Sequence, residues 1–258
     1  TGVQTCALPI SIGPEVGLFE NHLTVRSIKL YADGALGSRG AWLIDDYEDA
    51  EGEHGHIVTP VETLKKVTRE GEENGFQICT HAIGDMANRE VLNIYSDVLE
   101  NNNDKRFRIE HSQHIDLLDI PRFHQLGVIA SVQGIHMSSD RPWAIDRLGK
   151  KRIIDSAYPW QKLFQSGAVI VNGTDAPVEP INPIASFYAS VSRKTLNKTP
   201  TGGYEPDEKM SRELALRSYT INGAYAAFEE NIKGSIEKGK LADFTVLSQD
   251  ILQVDEDD

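Results

Sequence analysis

From about residue 25 onward, short apolar runs alternate with amphipathic stretches, and this alternation limits the chain to very few architectures. The runs Val25–Tyr31, Phe76–His81, Phe107–His111, Val128–Gln133 and Val169–Asn172 read as strands. Between them lie helical patterns. Thr59-Pro60-Val61-Glu62 combines a capping threonine, a first-position proline and a capping-box glutamate. It predicts a helix running to Glu73 and closed by Asn74-Gly75. Met86–Asn101 carries Val91, Leu92, Tyr95, Val98 and Leu99 on one stripe, and Asp116–Leu126 is closed by Gly127. Two short helices are expected near Trp143–Leu148 and Trp160–Gln165, and two more near Pro183–Lys194 and Ser211–Tyr219. Ala32 to Val58, rich in glycine and acids, reads as a long loop. Gly234–Ile236 and Phe244–Leu247 read as short strands with no helix between them.

Strands alternating with helices imply parallel β/α units and an α/β fold. A complete eight-stranded barrel takes about 250 residues, and five strands are too few to close one. The alternative, a doubly wound open sheet, usually shows a glycine fingerprint after its first strand, and none is present. The expected architecture is therefore a partial TIM (β/α)8 barrel.

Composition excludes several roles. The formal charge of −13 argues against a phosphate-tracking nucleic-acid surface. No apolar run approaches the ~20 residues of a membrane-spanning helix. The two cysteines, Cys6 and Cys79, form no CxxC pair. Cys79 lies in an apolar run and reads as a buried reduced thiol, so a cytoplasmic location is expected. Thr1–Ile10 resembles the translation of a sequencing-library adapter, and residues 1–11 are set aside as non-native, Cys6 with them.

Chemistry-bearing side chains gather at strand ends. Lys29 is near the end of the first strand, and His81 and His111 end the second and third. Gln133 ends the fourth with His136 just beyond, and Asp175 follows the fifth. Active sites of parallel β/α folds assemble at that edge. One such histidine is more often structural than a ligand, but two, joined by an aspartate and a lysine, make the readings about even. An inward Lys29 needs a partner, a depressed pKa or chemical modification. Strand alternation, with His111 inward, places Phe107 and Ile109 inward too and Arg108 and Glu110 on the outer face.

Several segments resemble amidohydrolase family 3, YtcJ-like branch, a group that includes N-substituted formamide deformylases. Ile28-Lys29-Leu30-Tyr31-Ala32-Asp33-Gly34-Ala35-Leu36-Gly37-Ser38-Arg39-Gly40-Ala41 resembles its fourth-strand motif. His81-Ala82-Ile83-Gly84-Asp85 is similar to the fifth, Arg108-Ile109-Glu110-His111-Ser112-Gln113 to the sixth and Gly173-Thr174-Asp175-Ala176-Pro177-Val178 to the eighth. Gly234 to Asp243 resembles the re-entry into a small β domain. Residues 12–230 would thus form strands four to eight of a barrel, and 231–258 the start of a small β-sandwich domain.

The resemblance implies hydrolysis of carbon–nitrogen bonds other than peptide bonds, in amide or formamide substrates, by metal-activated water. Lys29, N-carboxylated, would bridge one or two divalent ions, zinc being expected. His81 and His111 would bind the second ion. Asp175 would contact the first ion and shuttle the proton. His136 would polarise the substrate carbonyl, or else be a loop histidine near solvent. Where the family usually has proline after Gln133, this chain has Gly134, which predicts a looser loop. Arg39, Asp85 and Gln133 are the substrate-binding candidates. His54 and His56 have HxH spacing but sit in an acidic loop, whereas the family's HxH pair ends strand one. That pair is expected upstream of residue 1, leaving this chain inactive with an exposed strand edge, and a homodimer is a further expectation for the longer parent. Two rivals remain: a metallo-barrel hydrolysing esters or deaminating its substrate, and a metal-free barrel acting in binding or regulation.

Overall fold

The computed structural model describes residues 10–99 and 104–257. Cys6 and residues 1–9 of the segment set aside above lie outside the described residues. Five strands form one parallel sheet in chain order: β3 (Ser27–Tyr31), β4 (Gln77–Ala82), β5 (Arg108–His111), β6 (Ile129–Val132) and β7 (Ile170–Asn172). An antiparallel pair, β1 (Glu15–Gly17) and β2 (Leu23–Val25), precedes them, and sequence patterning does not reveal it. Residue pairing sets Lys29 beside Cys79 and Ala82 beside His111, so the strand ends are level.

The helices α1 (Val61–Glu73), α2 (Asp85–Ser96) and α3 (Ile120–Gln125) return the chain between strands. α1 and α2 cover one face of the sheet. There Ile28, Leu30, Ile78 and Ile109 are buried, and Tyr95 Oη of α2 donates to Thr80 Oγ1 at 2.8 Å. α1 begins later than the capping-box pattern predicts. Pro60 is its cap and makes no side-chain bond, which leaves Thr59 one position too early to reach the first-turn N–H groups.

After β6 the chain forms one long helix, α4 (Gly134–Ser156), broken at Gly149 (φ 70°). The short helix expected at Trp143–Leu148 is its middle. α5 (Trp160–Gln165), α6 (Pro183–Ser192), α7 (Arg212–Tyr219) and α8 (Ile221–Ala226) follow. α8 packs on the sheet face opposite α1 and α2, near the strand beginnings. Ala226 meets Ile129 and Val171 there, and Gln77 Nε2 donates to Ala226 O at 2.8 Å and to Arg106 O at 2.6 Å. That face is thus plugged at one end and open at the other, where the candidate site residues lie.

The strands expected at Gly234–Ile236 and Phe244–Leu247 do not form. Those residues are turns and irregular backbone, with Ile236, Phe244 and Val246 exposed. A strand needs a ladder partner for its N–H and C=O groups, and the described residues around them supply none. Among the described residues, no helix is long and apolar enough to cross a membrane.

Candidate metal centre

Lys29, His81, His111, His136 and Asp175 come together at the open end of the sheet. The His81 and His111 rings meet edge to face with centroids 4.5 Å apart, and His111 stacks on His136 at 5.7 Å. His136 Nε2 lies 3.9 Å from Asp175 Oδ2. Tyr31 flanks the group, 5.4 Å from the His81 ring and 5.2 Å from Lys29 Nζ.

His111 reaches this face by a break in strand alternation. Its φ is 78° and that of Ser112 is 43°, left-handed values that cost a non-glycine residue roughly 1–2 kcal/mol. The break puts the consecutive residues Glu110 and His111 on the same face. Arg108 and Glu110, expected on the outer face, are consequently inside the open face. Arg108 Nε donates to Glu110 Oε1 at 2.9 Å, and its NH1 reaches Gln77 Oε1 at 3.4 Å. Only Ile109 takes the helix-covered side.

Hydrogen bonding fixes the imidazole forms. Gln133 Oε1 sits 2.7 Å from His111 Nδ1. That oxygen only accepts, so Nδ1 carries the proton and Nε2 keeps its lone pair. Burial, then the neighbouring His81, His136 and Lys29, hold the His111 pKa well below the usual histidine range. Burial also lowers His136, against the opposing pull of Asp175 and Glu179. Lys29 is exposed on the open face, yet desolvation by its surroundings lowers its amine pKa while Glu110, Cys79 and Asp175 oppose the shift. Cys79 is free and buried, its thiol pushed up to about 12 by burial.

His136 is neither in a loop nor near solvent. It lies in the first turn of α4, is 9 % exposed, and its Nε2 has no hydrogen-bond partner. The expected looseness at Gly134 is absent as well. A Cβ there would fall 2.0 Å from Ser190 Oγ and 2.6 Å from Ser186 O, so glycine lets α4 press against α6 and set the His136 ring.

Sequence reasoning missed Asp33. It is 1 % exposed, and it accepts the N–H groups of Trp42 at 2.9 Å, Ile83 at 3.0 Å and Gly84 at 2.8 Å. Its Oδ1 also lies 3.4 Å from His81 Nε2. Asp33 therefore joins the loop after β3 to the end of β4 and stands behind the histidine. Among the many loop acids only its place two residues after Tyr31 set it apart.

Of the other candidates, Arg39, Asp85 and His54 spend their polar groups away from this cluster, whereas Gln133 is joined to it through His111. Arg39 is exposed and forks onto Asp49 at 2.9 and 3.1 Å. Asp85 is buried and accepts the N–H groups of Ile44 and Met86. Gln133 spends its amide on His111 and Ser131 O. His54 pairs with Asp46 at 2.9 Å.

The amidohydrolase family matches this sequence over residues 10–258. The chain belongs to the amidohydrolase family. Among its relatives, Protein LONG AFTER FAR-RED 3 of Arabidopsis thaliana is 37% identical over 228 residues, 88% of this chain and 39% of that protein. Putative amidohydrolase YtcJ of Bacillus subtilis (strain 168) is 35% identical over 229 residues, 89% of this chain and 43% of that protein. N-substituted formamide deformylase of Arthrobacter pascens is 29% identical over 178 residues, 68% of this chain and 32% of that protein. The crystal structure of an uncharacterized metal-dependent hydrolase from Pyrococcus horikoshii OT3 superposes with a TM-score of 0.86 at 30% identity, covering 98% of this chain and 50% of the other. This amidohydrolase-family chain thus spans half or less of the length of these relatives. Among its described residues, no three His, Cys, Asp or Glu side chains converge at metal-binding spacing. The donors that do come together are the imidazoles of His81, His111 and His136, with the Lys29 amine beside them.

Proposed function

We propose that this chain carries the metal-binding half of a hydrolase that cleaves carbon–nitrogen bonds other than peptide bonds, within a partial (β/α)8 barrel. Amides and formamides are the substrate class, in keeping with the names of two relatives. The observation that carries the reading is the convergence of His81, His111 and His136 with Lys29 and Asp175 at one end of a parallel sheet.

The residues fit a divalent metal by their donor chemistry. His111 offers Nε2 because Gln133 holds its other nitrogen. His81 Nε2 is buried without a hydrogen bond beside the Asp33 carboxylate. A proton on that nitrogen faces the carboxylate and leaves Nδ1 as donor, the arrangement that commonly stands behind metal-ligating histidines. Lys29 completes the set once carboxylated, since its lowered pKa raises the share of free amine that reacts with carbon dioxide. Zinc suits such mixed nitrogen and oxygen donors, and when bound it supplies a Lewis acid that lowers the pKa of water.

The remaining steps belong to this chain's own groups. Asp175 accepts the proton of the attacking water and returns it to the leaving nitrogen. His136 donates from Nε2 to the carbonyl oxygen as negative charge develops there. Tyr31 walls the open side. The test is hydrolysis of N-substituted formamides, with matched esters and exocyclic amines as controls. Chelator-sensitive C–N cleavage that is lost in Asp175→Asn supports the reading. Cleavage of the esters alone would replace it.

A further inference from the structure

His111 and Ser112 are consecutive left-handed residues, and such backbone persists only where its surroundings over-determine it. Several bonds hold the turn. The buried Ser112 Oγ donates back to Ile109 O at 2.9 Å. The His114 N–H donates to Ile83 O at 3.0 Å, and Gln113 O accepts the N–H of Tyr158 at 2.7 Å. These bonds anchor the main chain beyond the turn to the end of β4 and to the segment before α5.

One side chain adds a tie of a different kind. Gln113 is buried, and its Nε2 donates to Tyr158 Oη at 2.9 Å and to Asp140 Oδ2 at 3.4 Å. An amide nitrogen carries two N–H groups, so both are spent. Tyr158 is itself buried and left-handed, with φ 48°. Asp140 belongs to α4, about one helical turn beyond His136. Gln113 therefore joins the chain just after His111 to the helix that carries His136. The rings of those two histidines stack at 5.7 Å with their planes 16° apart. Unlike the main-chain bonds, this tie disappears with a single substitution.

We propose that Gln113 is a positioning residue, which locks the left-handed turn against α4 and so holds His111 on the open face, stacked on His136 with its Nε2 presented to the metal. The use of that nitrogen rests on the metal-centre reading of the same site. Without the tie, the turn relaxes toward regular strand backbone, whose alternation carries the His111 ring to the helix-covered face.

The test uses Gln113→Met, close in shape and without N–H groups, and Tyr158→Phe, which removes the acceptor and keeps the ring. Leu64→Ala, in the buried face of α1, controls for a general loss of stability. The first readout is exchange of the His111 Nδ1 proton, which Gln133 holds, in metal-free protein with 15N-labelled histidine. The second is zinc affinity by competition with a chromophoric chelator. Gln113→Met is expected to exchange that proton about tenfold faster and to bind zinc about tenfold more weakly, the value of one or two hydrogen bonds. Tyr158→Phe is expected to move both readouts less, in the same direction, and Leu64→Ala to match the parent in both. An unchanged proton or an unchanged affinity for histidine-bound zinc in Gln113→Met overturns the proposal, as do the same changes in Leu64→Ala. Tyr158→Phe is judged by these criteria if Gln113→Met does not fold. The proton is read without metal, so the two claims fail separately. A responsive proton in a protein whose histidines take no zinc counts against the metal centre alone, and histidine-bound zinc with an unresponsive proton counts against Gln113 alone.

Discussion

His114 is a built-in acid liability. The ring is 1 % exposed, neither nitrogen has a hydrogen-bond partner, and it packs edge to face with Tyr158, the centroids 5.4 Å apart. Burial, with Arg152 adding to it, lowers the folded pKa to about 3 from an ordinary value of 6.5. The sign follows from linkage. Above pH 6.5 the ring is neutral in both states and costs nothing. As pH falls below 6.5 the unfolded chain takes up a proton that the folded chain refuses, and the loss grows until about pH 3. Each pH unit is worth ~1.4 kcal/mol, so this ring alone removes roughly 2–3 kcal/mol by pH 4.5. His114→Phe keeps a flat ring against Tyr158 and removes the proton site. Urea midpoints followed by circular dichroism at pH 7.5 and 4.5 measure the effect. The variant is expected to lose roughly 2–3 kcal/mol less than the parent between those pH values. His111 and the carboxylates are common to both proteins and cancel in the comparison. An identical pH dependence in the two proteins would refute the reasoning and place a proton or an ordered water on the ring.

Other perturbations have equally definite outcomes. Asp33→Asn presents an amide N–H₂ to at least one of three buried N–H donors, and a drop of about 1–3 kcal/mol is expected in denaturant melts. Gly134→Ala drives a methyl into Ser190 and Ser186 O, and a loss of roughly 1–3 kcal/mol with a shifted His136 ring resonance is expected. Gln133→Leu frees His111 to choose its tautomer, so zinc affinity measured by competition with a chromophoric chelator should fall about 10–100-fold while stability changes little.

Much of this site is legible in the sequence because the signal is local. An apolar run ending in a polar residue marks both the strand and the end at which chemistry collects, and Lys29, His81, His111, His136 and Asp175 all follow that pattern. What was not legible depends on contacts between distant segments. Strand alternation assumes regular backbone, and the left-handed turn at His111 defeats it, carrying the histidine to the face that Glu110 occupies. Asp33 looks like one loop acid among many until the fold brings Trp42, Ile83 and Gly84 to it. Helix α8 is short and shows no amphipathic period. Its place under the sheet is decided by Gln77, which lies 149 residues away from Ala226. The strands read into 231–258 illustrate the opposite error, since apolar β-formers without a ladder partner remain irregular.

The central claim is that His81 and His111, with Lys29, hold a metal. X-ray absorption on zinc-loaded protein, repeated on His81→Ala and His111→Ala, tests it most directly. Two imidazole nitrogens at about 2.0–2.1 Å are expected in the parent, with one lost in each variant and zinc bound more weakly. Zinc that shows no histidine scattering, or that keeps the same shell in both variants, would contradict the account.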